Sequence, residues 1–196
     1  MPSNSWWYFT QSATLVNYTP DPYERALVAR CLTPESPAEQ RTAQRELFER
    51  YKRAMFSTVW RIVTDYDLAN DALQDGFVEV FRHLADFRGT SSLGAWVKTI
   101  MVRQALRIVR FEARFETIRA DLHDQPVSVP DHLLGEQLEA AIRALPAGCR
   151  TIFLLAEVEG YAHREIAQML TVAEGTVKSQ VSYARKLLKQ KLHELA

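Results

Sequence analysis

From Tyr23 onward, apolar residues recur at three- and four-residue spacings almost everywhere, and the two-residue alternation of a strand bounded by turns is absent. That rhythm restricts the fold to packed helices and predicts an all-α protein. Helices are expected over 23–32, 38–63, about 67–84 and 93–115. Leu47, Phe48, Tyr51, Met55, Val59 and Ile62 make the apolar stripe of the second, and Leu73, Phe77, Val80, Phe81 and Leu84 that of the third. "ADFRGTSS" reads as a loop by its Gly and Ser/Thr content. Shorter helices are expected over 131–144, 147–159, 162–170 and 174–193, with Gly160 as a C-cap.

The periodicity fails near 117–131, where Pro126, Pro130 and the acids Asp121, Asp124 and Asp131 stand among few apolar residues. This stretch predicts a flexible linker between two small helical domains. The expected division is an extension at 1–22, a first domain at 23–116, the linker at 117–131 and a second domain at 132–196. The extension holds Trp6, Trp7, Tyr8, Phe9 and Tyr18 without a clear period and receives no function.

The 24 basic and 24 acidic residues cancel, so any electrostatic function depends on how charge is distributed. Cys31 and Cys149 lie far apart with no CxxC spacing, which predicts two free thiols in a reducing compartment. The first basic residue is Arg25, so no cationic segment precedes an apolar one, and runs such as "IFLLA" are too short to span a bilayer. A cytoplasmic protein without membrane insertion is expected. The histidines at 83, 123, 132, 163 and 193 lack metal-ligand spacing, and neither a Ser-His-Asp order nor a phosphate-binding Gly loop occurs. No enzymatic activity, cofactor or metal is therefore expected.

The charge is concentrated near the end of the chain. "EGTVKSQVSYARKLLKQKL" carries Lys178, Arg185, Lys186, Lys189 and Lys191 against one acid. Alone, it reads more readily as a solvated basic face. Its predecessor "GYAHREIAQMLTVAEG" supplies a short helix with Ile166, Ala167 and Leu170 inward, then a tight turn, the order of a helix-turn-helix. Val177, Val181, Ala184 and Leu188 would face inward. Thr176, Lys178, Ser179, Gln180, Ser182, Tyr183, Arg185 and Lys186 would form the DNA-facing set, combining base-edge and phosphate chemistry. Ala162 and Ala173 are poor N-caps, and Thr171 sits where a left-handed turn favours Gly.

Two groups of motifs then resemble the extracytoplasmic-function (ECF) sigma factors of bacterial RNA polymerase. Leu145-Pro146, Glu159-Gly160, Glu165-Ile166-Ala167 and Gly175 to Ser179 match the family's C-terminal domain. Asp71, Gln74, Asp75, Phe77, Phe87-Arg88-Gly89 and Trp96 match its N-terminal domain. The resemblance covers about 23–193 and implies an alternative sigma factor. On that reading, the first domain reads the promoter −10 element and the second the −35 element, both bound to core polymerase. A stand-alone helix-turn-helix regulator is the alternative. The resemblance also implies an anti-sigma factor as a partner, along with the polymerase β′ clamp helices and β flap.

Carried onto matching residues, the resemblance assigns core-polymerase binding to Asp67, Asp71, Leu73, Gln74, Asp75 and Phe77, with Leu73 and Phe77 open to a plain core role. Asp67, Asp71, Asp75 and Glu79 share a helical face, with no basic residue between Arg61 and Arg82 to neutralise them. It assigns −10 recognition to a base-capturing loop containing Arg88, Gly89, Thr90, Ser91 and Ser92, otherwise an ordinary Gly/Ser turn. Lys98, Arg103, Arg107 and Arg110, with Arg114 on the same face, would attract the backbone of melted DNA. Trp96 is read as core or as a stacking surface. Arg103 stands where Asn is common in the family, and Arg107 where an acid is frequent. Gln180 and Tyr183 replace positions that are often Arg, so base preference does not carry over. The linker is a plain tether or an acidic nucleic-acid mimic.

Overall fold

The computed structural model describes residues 21–116 and 134–194, all helix and connecting turns, with no strand among them. The aromatic extension as far as residue 20, the linker with its three aspartates, and the side chain of Arg114 lie outside the described residues. The chain divides into two compact units, residues 1–108 and 109–196.

In the first unit, α1 (Pro22–Leu32), α2 (Pro37–Val63) and α3 (Tyr66–His83) begin on acceptors supplied by the sequence. Asp21 accepts from the Tyr23 N–H at 2.9 Å, Ser36 from Glu39 N–H at 3.2 Å and Asp65 from Leu68 N–H at 2.8 Å. Such caps satisfy helix-start amides and contribute about 1 kcal/mol each. Pro22 and Pro37 occupy first-turn positions, where the missing N–H loses nothing. A short 3₁₀ turn over Leu84–Asp86 extends α3 before the loop, a turn within the stretch expected to be irregular. α4 (Leu93–Glu116) follows and continues past the last residue of the unit.

The core of this unit is the inward stripe of each helix: Leu27, Leu47, Val59, Ile62, Phe77, Val80, Leu93, Val97 and Met101 are all buried. Phe48, Tyr51 and Phe81, expected inside, are half-buried at its margin. The Phe48 ring still meets Phe77 edge-on at 4.7 Å, a favourable aromatic geometry. α3 and α4 approach closely at Gly76, where an added Cβ would lie 2.3 Å from the Met101 sulfur. Gly76→Ala must displace the buried Met101 side chain, which outweighs the helix propensity that alanine adds, and is expected to destabilise the protein by about 1 kcal/mol. Denaturant titration against the parent protein checks it.

The second unit contains α5 (Leu134–Arg143), α6 (Ala147–Phe153), α7 (His163–Leu170) and α8 (Glu174–Glu194). Ala141, Leu145, Cys149, Ala184 and Leu188 form its core cluster, edged by Ile142, Phe153 and Leu187. Arg150 Nη1 donates to the carbonyls of Arg143 (2.9 Å) and Leu145 (3.4 Å), closing the end of α5. The helix expected over 147–159 changes pitch: after α6 the chain widens into a π-turn over Leu154–Val158, with Glu159 N–H bonding Leu154 O at 2.9 Å. Gly160 then takes φ +75°, the left-handed conformation expected of its cap position. Both cysteines are buried and free, one in each unit, and burial raises both thiol pKa values.

Candidate nucleic-acid interface

Ala162 caps α7 without a side-chain acceptor, so one half of a reciprocal cap forms: Glu165 accepts from the Ala162 N–H at 2.8 Å. The turn out of α7 puts Thr171 at φ 58°, ψ 46°. A β-branched residue in the left-handed region carries strain, held here by the return bond from Val172 N–H to Ala167 O at 3.0 Å. Ala173 then precedes α8, its carbonyl accepting from Thr176 and Val177 N–H at 3.0 and 3.3 Å. The first turn of α8 thus has no side-chain cap from Ala173, and its N-terminus suits an anion.

α8 separates its faces as the periodicity predicts. Val177, Val181, Ala184 and Leu188 are at most 6% exposed. Thr176, Lys178, Ser179, Ser182, Tyr183, Arg185 and Lys186 are exposed, while Gln180 is half-buried. The Gln180 carbonyl accepts a weak bond from Cys149 Sγ at 3.6 Å, which ties that turn to α6. Ser179 Oγ donates back to Thr176 O at 2.9 Å, leaving its lone pairs to face outward.

Two cations of this face have acidic partners that the sequence reading missed. Lys178 Nζ lies 2.8 Å from Glu174, whose carboxyl pKa is lowered chiefly by that hydrogen bond. Arg185 lies 2.8 Å from Glu157, carried by the π-turn. The first pair was legible as an i,i+4 spacing; the second joins residues 28 apart and was not. Exposed pairs of this kind are screened by solvent and weak enough for a DNA phosphate to displace the acid.

In the first unit, the loop 87–92 turns through Gly89 at φ 67°. The Phe87 ring rests on Trp96 with centroids 5.5 Å apart, so Trp96 is half-buried and partly committed to holding the loop. Arg88 and Thr90 are exposed, whereas Gly89, Ser91 and Ser92 are half-buried. Ser92 is already engaged: its Oγ accepts from Ala95 N–H at 3.2 Å and caps α4. A side chain assigned to base capture thus has a structural role, a cap that the sequence reading overlooked.

Along α4, Lys98 and Arg103 are half-buried and Arg107 and Arg110 exposed. Arg107 pairs with Asp75 of α3 at 2.7 Å. No basic residue of the 62–81 stretch supplies that charge; for Asp75 the cation comes from another helix, 32 residues later. Glu79 is paired as well, with Arg82 and with His83. Asp67, Asp71 and Gln74 stay exposed beside Tyr66 and Val78. Leu73 and Phe77 are only 8% and 3% exposed, as the core alternative stated for them requires.

The first unit is helical, with an acidic face and a loop-helix edge, and the second has the helix order and face division of a helix-turn-helix, the form of a DNA-binding protein. The description "Sigma-70 region 2" matches residues 47–115, and "Sigma-70, region 4" matches residues 135–188. Among curated relatives, the ECF RNA polymerase sigma-E factor of Haemophilus influenzae is 27% identical over 165 residues, covering 76% of this chain and 87% of the relative. The Escherichia coli K12 protein of the same name is 29% identical over 165 residues, with 76% and 86% covered. The chain belongs to the ECF sigma factors, alternative initiation factors that direct RNA polymerase in transcription. The sigma factor RpoE of Bartonella quintana, solved with the anti-sigma factor NepR, shares the fold at TM-score 0.55 and 23% identity, over 76% of this chain and 96% of that one. So does CnrH, solved with the cytosolic domain of CnrY, at TM-score 0.51 and 21% identity, over 88% and 99%.

Proposed function

We propose that residues 23–116 bind core polymerase and the −10 element, and that residues 132–196 read the −35 element, with 117–131 as the linker. The observation that carries the second assignment is the division of α8, with four apolar residues sealed inside and Thr176, Lys178, Ser179, Ser182, Tyr183, Arg185 and Lys186 outside. Gln180, at the edge of that face, reads bases from the half-buried position. Lys178, Arg185 and Lys186 neutralise phosphates and set the register. Arg88 and Thr90 lead base capture, because Ser92 is occupied as a cap. Arg103, Arg107 and Arg110 track the melted strand. Asp67, Asp71, Gln74 and Asp75 dock on the β′ clamp helices, and the second unit meets the β flap. An anti-sigma factor is the further partner, as in the two solved complexes.

The protein acts in the cytoplasm as a specificity factor and performs no chemistry of its own. Among the described residues, no helix is long and apolar enough to cross a membrane.

Run-off transcription with bacterial core polymerase on genomic promoter fragments tests this reading. New start sites that require the protein support it. Failure to bind core, with specific operator binding by the free protein, favours a stand-alone regulator. Lys178→Ala is expected to weaken −35-dependent initiation and flatten the slope of log affinity against log salt by about 1, the loss of one phosphate contact. Gln180→Ala is expected to relax base preference instead, with core binding unchanged in both variants.

A further inference from the structure

The least expected side chain in the first unit is Glu24. On α1 it belongs to the inward stripe with Leu27 and Cys31, and it is only 9% exposed. A carboxyl group removed from water is destabilising unless its oxygens find donors. Glu24 finds them on two other helices. Oε1 accepts from the Tyr51 hydroxyl at 2.8 Å, and Oε2 accepts from the backbone N–H of Leu93 at 2.9 Å. Burial, then the bond to Glu24, pushes the Tyr51 pKa up to about 12, so the phenol keeps its proton and remains a donor at neutral pH.

Leu93 is the first residue of α4, and Ser92, the last residue of the loop, precedes it. Its amide is one of the helix-start donors that α4 cannot satisfy internally, and the first turn of α4 contains no acidic residue. An acid from α1, 69 residues earlier, completes that start. The Tyr51 ring also covers the next residue: a Cβ added at Gly94 would sit 3.1 Å from Tyr51 Cε1. With Phe87 resting on Trp96, both ends of the 87–92 segment are fixed. Arg88 and Thr90 project from the span between these anchors.

We propose that Glu24 is a positioning residue for promoter opening: from α1 it fixes the first peptide of α4, and so the geometry of the base-capturing loop. The inference rests on the proposed role of loop 87–92. Glu24 touches no DNA on this reading. It preorganises groups that do, as a distant support can when a reacting segment must be held within a fraction of an ångström.

Glu24→Gln keeps side-chain size but replaces the carboxylate by a neutral amide: turned one way it loses the Leu93 bond, and turned the other its NH2 donates to the Tyr51 hydroxyl while its oxygen keeps only a weaker, neutral bond from the Leu93 N–H. With full-length protein and core polymerase, opening of a duplex promoter, read by permanganate reactivity of unpaired thymines, is expected to fall about tenfold, because the first peptide of α4 exchanges a carboxylate acceptor for a weaker neutral one or none. Core binding and circular dichroism are expected to match the parent, and initiation on the same promoter with a pre-melted −10 segment to be restored. Equal loss on both templates, or parental opening of the duplex, overturns the proposal. If Glu24→Gln does not fold, Tyr51→Phe decides, because it removes one donor and keeps the ring: slower duplex opening supports the proposal and unchanged opening overturns it. Thr90→Ala separates the two ideas. If it leaves opening unaffected, the loop reading fails; if it slows opening while Glu24→Gln does not, only the positioning role fails.

Discussion

Phe77→Ala is expected to lower the stability of the first unit by about 3–5 kcal/mol, the range for removing a buried aromatic ring. The ring is 3% exposed, lies 4.7 Å from Phe48 and 6.3 Å from Phe81 by centroid, and comes from the middle of α3. Removing it leaves a cavity beside the Phe48 and Phe81 rings. Chemical denaturation of the purified protein measures the effect. The comparison that gives it meaning is Asp71→Lys, which alters an exposed side chain on the same helix. That variant is expected to keep the parental midpoint and to weaken binding to core polymerase. If Phe77→Ala instead left stability unchanged and abolished core binding, Phe77 would be a contact residue and its burial would carry no structural weight.

Val181→Asp is expected to have a comparable effect in the second unit, destabilising it by about 3–5 kcal/mol, since it places an uncompensated charge in the core. Val181 is 3% exposed, and its neighbours on the inward face of α8 are Val177, Ala184 and Leu188. Three of the four helices described in this unit have ten residues or fewer and bury little apolar area, so this is comparable to the whole stability of a unit of that size. Initiation from −35-dependent promoters should disappear, while binding to core through the first unit persists. Circular dichroism should show partial loss of helix. Retention of −35 recognition in a soluble, helical Val181→Asp variant would contradict the assignment of α8 as the recognition helix.

Much of the local architecture was legible because it is written in adjacent residues. The starts of α1, α2 and α3 each carry an acceptor in position, and the apolar stripe of α8 repeats every three or four residues. Gly160 and Thr171 adopt left-handed backbones where the sequence implied them. The departures share one physical origin. The π-turn after α6, with Leu154 and Leu155 buried, has no marker in the local sequence, which carries neither Gly nor Pro over Leu154–Val158. The acids of α3 looked unneutralised because Arg107 is local in space and remote in sequence. Ser92 was a missed cap, although a Ser directly before an apolar run is a recognised helix start.

Alone, the sequence determined the helical class, the bounds of most of the described helices to within a residue or two, and the face of α8 that is apolar, because those depend on periodicity and on backbone groups a few residues apart. Only the tertiary structure decided which charged groups are available. Asp75, Glu157 and Glu174 engage Arg107, Arg185 and Lys178, and Glu24 is sealed beneath the start of α4. Except for Glu174 with Lys178, these partners come from separate elements, so no periodicity within a single helix encodes them. Charge and hydrogen bonding act through distance in space, and packing is what sets that distance.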